Sequence, residues 1–172
     1  MMHRLDCRDF YSNVRSIPQI VEKISEQAQS QAPDTWVVAH GSPMQDFRMP
    51  EGRFPTRQEL DAASPSNPVS INFGAHITIA NSRALELAGI NKSTDAPAGG
   101  AIELDDSGEL SGKLVERAQY LVRTVVPEYS YEQMKKGILF ASERCLSRGI
   151  TNIHDIVTNH ESIRAYQELE QA

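Results

Sequence analysis

The stretch from Pro68 to Ile90 reads PVSINFGAHITIANSRALELAGI, and the rest of the chain is organised around it. Apolar and polar residues alternate from Val69 to Phe73, with the period of two that is typical of a half-buried strand. Gly74 and Ala75 break the alternation, so we expect a bend after this strand. His76 follows the bend, where scaffolds usually display functional side chains. A purely structural histidine is the alternative.

Capping residues predict helices within this stretch and on both sides of it. A Ser or Thr followed three residues later by Glu or Gln is a capping box, in which the two side chains bond free amides of the first helical turn. Asn81 or Ser82 caps the helix of the central stretch. The first predicted helix, Ile17–Gln31, follows the capping residue Ser16. The others are Thr56–Ala62, the helix after Asn81 or Ser82 that ends at Leu87, Leu114–Val125, a helix from Ser130 to just before Gly149, and a helix from Thr158 to the chain end.

Short apolar and β-branched runs predict further strands. In one hairpin, Ile102 and Leu104 face Leu110 across the turn Asp105–Gly108. The polar segment from Met1 to Val14 predicts an irregular lead-in or an edge strand. The predicted strand segments are Trp36–Ala39, the hairpin Ala101–Leu114, and Ile150–His154.

The composition is that of a globular protein rather than a nucleic-acid-binding or membrane protein. The chain has 172 residues, of which 40% are hydrophobic, enough for one globular domain or slightly more. Its net charge is −6, and without a basic stripe this argues against binding to a phosphate backbone. No apolar run approaches the roughly 20 residues that span a bilayer. Cys7 and Cys145 are isolated, so we expect reduced thiols and a cytoplasmic location.

The spacing of the histidines does not define a metal site. None of the five histidines forms H-x-H, H-x-x-x-H or H-E-x-x-H, the spacings that put two imidazoles on one metal. His154 and Asp155 lie at the C-terminal end of a predicted strand, the edge where α/β barrels place their active sites. Adjacent strand residues point to opposite faces, so only one of the two can face a given pocket. The alternative is a surface histidine beside an aspartate that bonds a loop backbone. Glu116 lies near the start of a predicted helix, where the helix dipole alone would explain a carboxylate.

Four longer motifs follow one another through the chain. They are EGRFPTRQELDAASPSNPV at Glu51–Val69, GAHITIANSRALELAGI at Gly74–Ile90, APAGGAIELDDSGELSGKLVE ending at Glu116, and GITNIHD at Gly149–Asp155. In order and separation they resemble the metal-dependent hydrolases of the amidohydrolase superfamily, in particular amidohydrolase family 3 or the YtcJ-like group. The resemblance implies a distorted (β/α)8 barrel with a small β-sandwich. It also implies hydrolysis of C–N bonds in small amide-like substrates, with one or two divalent metals.

The resemblance divides the chain into three segments. Residues 1–33 would be a lead-in and first helix, residues 34–114 an α+β insertion that covers the barrel mouth, and residues 115–172 a partial barrel in which GITNIHD is the second strand. The implied fold class is therefore α/β, with an α+β insertion region followed by an incomplete TIM-barrel (β/α) segment.

The resemblance also implies roles for individual residues. His76 and Asn81 match the D-G-H and V-N-S positions of the family, so they would bind substrate together with His154 and Asp155. Glu116 matches a family glutamate that is a candidate metal-bridging carboxylate.

Parts of the family pattern have no counterpart in this sequence. The H-x-H of the first strand, the later histidines and the catalytic aspartate are absent, and Gly74 and Ala75 precede His76 where the family usually has Asp and Gly. We therefore expect the complete enzyme to bind a divalent metal, with zinc as the first choice. We expect no metal in this chain alone, which would be an inactive fragment. The alternative is a non-catalytic binding or interaction domain that dimerises along an exposed strand edge.

Overall fold

The first part of the chain is built on a six-stranded mixed sheet. The computed structural model describes residues 4–155 and 160–171, which form two compact units divided between Pro127 and Glu128. The strands are β1 Leu5–Asp6, β2 Val37–Gly41, β3 Val69–Phe73, β4 Ile77–Ala80, β5 Gly100–Leu104 and β6 Leu110–Glu116. Their spatial order is β1–β2–β3–β4–β6–β5. The first three strands are parallel, and the other neighbouring pairs are antiparallel.

Short helices connect and cover these strands. In the first unit they are α1 Asp9–Ser12, α2 Ile17–Gln29, α3 Arg57–Ala63, α4 Ser82–Leu87 and α5 Gln119–Arg123, with a 3-10 turn at Asp46–Arg48. The second unit contains α6 Tyr131–Leu146 and α7 His160–Glu170. None of the described helices is long and apolar enough to cross a membrane.

The central strands of the sheet, β2 to β4, are buried on both faces. On one face, Ile71 and Ile79 pack in a core with Ile20 of α2 and Leu60 of α3. On the other face, side chains of α4 and α5 complete a second core around Leu114. The alternation in β3 had predicted a half-buried strand, yet even its polar Ser70 is only 2% exposed. A second layer of helices covers the face that the pattern marked as polar.

The structure confirms a cap at each predicted position that it describes, although one of the capping boxes is incomplete. Thr56 and Ser130 form complete capping boxes, and Asn81 rather than Ser82 caps α4. At Ser16 only half of the box forms. Its hydroxyl accepts from the Gln19 amide, while the Gln19 side chain accepts from the amide of Arg15. The predicted cap at Thr158 lies outside the described residues.

The predicted helix from Leu114 to Val125 begins too early. The strand β6 continues to Glu116, because Leu114 pairs with Thr78 on one side and Ile102 on the other and is completely buried. Helix α5 starts only at Gln119, so the helix dipole does not explain Glu116. The hairpin itself is confirmed, and Leu104 faces Leu110 as predicted, whereas Ile102 pairs with Leu114 and not with Leu110.

A further strand, β4, was not predicted. The Gly74–His76 segment is the turn of a tight hairpin, and Ile77 pairs directly with Phe73. His76 therefore lies at the junction of two strands rather than past the end of one.

The second unit consists of the two helices and an irregular segment. The predicted strand Ile150–His154 is wrong, because residues 151–155 adopt no regular structure and Ile150 and Ile153 are 46% and 55% exposed. An isolated extended segment leaves its amides and carbonyls unpaired. Among the described residues no strand pairs with it.

The α/β class is confirmed by this mixed sheet and its helices. The incomplete TIM barrel and the segment boundaries after residues 33 and 114 stay predictions. The second of these boundaries falls inside β6.

Candidate functional site

The β3–β4 turn places His76 at one end of the central strands of the sheet. Gly74 has φ +64, and a Cβ there would lie 2.9 Å from a side-chain carbon of Pro43, so any other residue would strain this bend. The turn lies at the C-terminal end of the parallel strands β2 and β3. In open α/β sheets this is the end at which ligands bind.

His76 and Glu116 form a pair across neighbouring strands. The His76 Nδ1 atom lies 2.9 Å from Glu116 Oε1, and the Glu116 amide donates to the His76 carbonyl at 2.8 Å. Both side chains face solvent, being 70% and 53% exposed. Glu116 has φ +50, a left-handed conformation that is uncommon for a residue with a side chain. Such strain occurs most often at functional sites.

The buried side chain of Gln119 holds the two segments of this pair together. Its Nε2 atom donates to the carbonyls of Ala75 and Glu116, at 2.9 and 3.0 Å, and Thr78 Oγ1 lies 3.0 Å from its Oε1. Sequence reasoning missed Gln119. Its contact with Ala75 joins residues 44 positions apart in the sequence, and no local sequence pattern predicts such a contact.

A row of polar side chains crosses the sheet toward Gln119. Asp6, His40, Asn72 and Thr78 occupy successive register positions on β1 to β4. Thr78 Oγ1 also lies 2.7 Å from Asn72 Oδ1, within hydrogen-bonding distance. Burial, and then the charge of the nearby Arg4, lowers the pKa of His40, so this imidazole is neutral at neutral pH. The row makes this end of the sheet polar.

Asn81 was predicted to bind substrate, but its side chain uses all of its hydrogen-bonding positions inside the fold. It is 1% exposed. Its Oδ1 accepts from the amides of Val69 and Ala84, and its Nδ2 donates to the carbonyls of Ser64 and Asn67. No polar atom of this side chain is left for a substrate.

His154 and Asp155 lie in the second unit, in its irregular segment. They do not point to opposite faces of a strand as predicted, because no strand forms there. The Tyr166 hydroxyl donates to Asp155 Oδ2 at 2.6 Å, and this bond raises the pKa of Tyr166. His154 and Asp155 are both exposed. Their role in substrate binding stays a prediction.

No complete metal centre is present among the described residues. They contain no group of three or more His, Cys, Asp or Glu side chains that could hold an ion. The His76–Glu116 pair offers two donors of the types that zinc binds. Catalytic zinc sites use three protein ligands.

Comparison with known proteins identifies the relatives of this chain. The model of the amidohydrolase family matches residues 2–172. The sequence is 30% identical over 144 residues to YtcJ of Bacillus subtilis (strain 168), which is named as an amidohydrolase, and the match covers 83% of this chain and 27% of that protein. It is 30% identical over 162 residues to N-substituted formamide deformylase of Arthrobacter pascens, covering 91% of this chain and 30% of that enzyme.

A solved structure shares the fold. It is the crystal structure of an uncharacterized metal-dependent hydrolase from Pyrococcus horikoshii OT3. The match covers 98% of this chain and 30% of the hydrolase chain, with a TM-score of 0.59 and 23% sequence identity. At this identity the likeness shows the fold alone. The chain spans less than a third of the length of these three proteins.

Proposed function

Because the chain belongs to the amidohydrolase family, we propose that it forms part of the substrate site of a metal-dependent hydrolase that cleaves C–N bonds in small amide-like substrates. The observation that carries the proposal is the exposed His76–Glu116 pair, with 2.9 Å between its nitrogen and oxygen. The name of one relative, N-substituted formamide deformylase, supports the choice of bond.

In this proposal Glu116 orients the His76 ring. When Nδ1–H donates to the carboxylate, Nε2 carries a lone pair and accepts the N–H of a bound amide. Once protonated, the same nitrogen donates to a carbonyl oxygen or to the leaving nitrogen. A histidine held by a carboxylate is the usual arrangement of a base and the group that orients it. We therefore assign the substrate contact to His76 and a positioning role to Glu116.

A divalent metal, zinc in the first instance, belongs to the same proposal. When bound, such a metal lowers the pKa of a coordinated water and polarises the substrate carbonyl. The imidazole and carboxylate of His76 and Glu116 are suitable donors, but they are two, and Glu116 Oε1 is already engaged by His76. These residues do not form a complete centre by themselves. The metal-binding role predicted for Glu116 requires further ligands.

The proposal extends to the architecture of the complete enzyme. Residues 34–114 would form the insertion over the mouth of a (β/α) barrel, and residues 115–172 would belong to that barrel. Free cysteines at positions 7 and 145 support the further proposal of a cytoplasmic location, where thiols stay reduced.

The test is an assay of the gene product that contains these residues. Hydrolysis of simple N-alkyl formamides and acetamides is measured with zinc present and after chelation. We expect His76→Ala to lower kcat/KM at least tenfold, and Glu116→Gln to lower it less. The control Glu86→Gln, which removes an exposed carboxylate of α4, leaves the rate unchanged. Activity that is independent of metal, or insensitive to His76→Ala, would contradict the proposal, as would robust turnover by the 172 residues alone.

A non-catalytic binding or interaction domain is the second candidate. The observation in its favour is a set of exposed apolar side chains within the second unit, namely Leu139, Phe140, Leu146, Ile150 and Ile153. Exposed apolar groups of this number favour association, most simply as a homodimer. Light scattering of the purified chain tests this candidate. A monomer at high protein concentration would count against it.

A further inference from the structure

The backbone of Glu116 is held in its left-handed conformation from both sides. Its amide donates to the His76 carbonyl at 2.8 Å, and its carbonyl accepts from Gln119 Nε2 at 3.0 Å. A residue with a side chain keeps a φ of +50 only when its surroundings hold it there. Because φ sets the direction of the side chain relative to the strand, these two bonds decide whether the Glu116 carboxylate faces His76.

Gln119 binds both segments of the His76–Glu116 pair through one amide nitrogen. A primary amide has two N–H donors, and Gln119 Nε2 gives them to the carbonyls of Ala75 and Glu116, at 2.9 and 3.0 Å. Ala75 directly precedes His76, so one of these bonds fixes the turn that carries the imidazole. Gln119 is only 7% exposed, so water competes little for either donor. Both bonds therefore act at the pair itself rather than deeper in the core.

Thr78 determines which way the amide group of Gln119 is turned. It is completely buried on β4, and its Oγ1 lies 3.0 Å from Gln119 Oε1. The amide oxygen can only accept, so the Thr78 hydroxyl donates to it and the amide nitrogen faces the two carbonyls. Asn72 Oδ1 lies 2.7 Å from the same hydroxyl oxygen. A half-turn of the Asn72 amide presents its nitrogen there as a donor, which leaves the single hydroxyl proton of Thr78 for Gln119.

We propose that Gln119 is the positioning residue that aims the Glu116 carboxylate at the His76 ring. It keeps the carboxylate beside Nδ1, so that the ring proton stays on Nδ1 and the lone pair of Nε2 is free to accept. Gln119 acts through the backbone of the pair and touches neither the substrate nor the reacting atoms. Its importance for hydrolysis rests on the proposed function, whereas the positioning is a property of this chain.

The test is the tautomer of the His76 ring in the full 172-residue chain, measured by proton–nitrogen NMR correlation spectra under mildly alkaline conditions. The variant His76→Gln identifies the resonances. A free neutral imidazole prefers its proton on Nε2, whereas a carboxylate beside Nδ1 draws the proton to that nitrogen. We expect wild type to favour Nδ1–H, and Glu116→Ala to give the ratio of the two tautomers without the pair. Equal ratios in these two proteins would overturn the proposal.

Gln119→Met is the decisive variant, because it keeps the length of the side chain without its donors. We expect it to lower the ratio of Nδ1–H to Nε2–H at least threefold, toward the value of Glu116→Ala. The control Gln29→Met makes the same change on the exposed surface of α2 and leaves the ratio unchanged. A residue that only stabilises the scaffold would lower the resistance to urea without moving the tautomer. The wild-type ratio in folded Gln119→Met would therefore overturn the proposal.

Two variants of Thr78 test the same role without changing Gln119. Thr78→Val removes the hydroxyl at nearly constant size, so we expect it to lower the tautomer ratio partway. Thr78→Ser keeps the hydroxyl and restores the wild-type ratio. If Gln119→Met does not fold, this matched pair decides, and equal ratios in Thr78→Val and Thr78→Ser would overturn the proposal.

The rate of hydrolysis separates this inference from the proposed function. In the gene product that contains these residues, we expect Gln119→Met to lower kcat/KM severalfold, mainly through kcat. A changed tautomer ratio with full activity would confirm the positioning role and contradict hydrolysis through His76. Lost activity with an unchanged tautomer ratio would overturn the positioning role.

Discussion

Asn81→Ala is the substitution that best tests how this fold is held together. The variant removes four hydrogen bonds at once and leaves two amides and the Ser64 carbonyl unpaired in the interior, while the Asn67 carbonyl keeps the Ser64 hydroxyl as a donor. Each such group costs about 1–3 kcal/mol when no water reaches it. Water entering the vacated space satisfies some of them, so we expect a loss of about 3–5 kcal/mol. That is a large fraction of the roughly 5–15 kcal/mol that stabilises a typical domain.

Urea unfolding measures this loss directly. Trp36 is the only tryptophan and is 7% exposed in the core of the first unit, so its fluorescence reports on the unit that contains Asn81. Asn81→Ser keeps a capping oxygen for α4 and loses the bonds to the two carbonyls, and it should fall between wild type and Asn81→Ala. Ser16→Ala is the matched control, because Ser16 makes a single capping bond, worth about 1 kcal/mol.

A small loss of stability would show that the interior bonds of Asn81 matter little. If Asn81→Ala costs no more than Ser16→Ala, then Asn81 acts only as a helix cap and the bonds to the two carbonyls contribute nothing. A loss of several kcal/mol assigns the residue to the scaffold.

Three further outcomes are expected. The hydrogen bond from Arg53 lowers the pKa of Glu59 from 4.5 to about 2, so the stability from this pair is complete above pH 4.5 and is lost as the pH falls toward 2; acid titration should show a loss of about 1 kcal/mol that is absent in Glu59→Gln. Burial raises the pKa of the Cys7 thiol to about 12, so a thiol reagent at pH 8 should modify only the other, half-exposed cysteine until urea is added, and two rapid modifications in native protein would contradict this. Gly112→Ala should cost about 3 kcal/mol in urea unfolding, because φ is +89 and the new Cβ would lie 2.4 Å from a carbonyl of β4, whereas Gly137→Ala, in open space, should be neutral or slightly stabilising.

Elements stabilised by neighbours in the sequence could be predicted. The capping boxes at Thr56 and Ser130 and the hairpin that brings Leu104 opposite Leu110 are confirmed. Caps and tight turns involve residues only a few positions apart, so the residue types alone determine whether the bonds can form.

Elements that depend on distant partners were predicted less well. The segment Ile150–His154 has the composition of a strand but has no pairing strand among the described residues. The segment Ile77–Ala80 is a strand because β3 lies on one side and β6 on the other, and β6 is more than 30 positions away. Strand propensity measures how well a residue suits a paired surface, so it cannot indicate whether that surface exists.

Residue patterns in the sequence were enough to predict the family, the α/β class, the bend at Gly74 and the caps. Two contacts became visible only in the folded chain: His76 faces Glu116, 40 positions away, and the Asn81 amide group bonds residues 12 to 17 positions away in the interior. The physical reason lies in the range of the interactions. A cap or a turn is closed by residues a few positions apart. A pair such as His76 and Glu116 forms only when the sheet has brought distant strands together, against the entropy of closing the long loops between them.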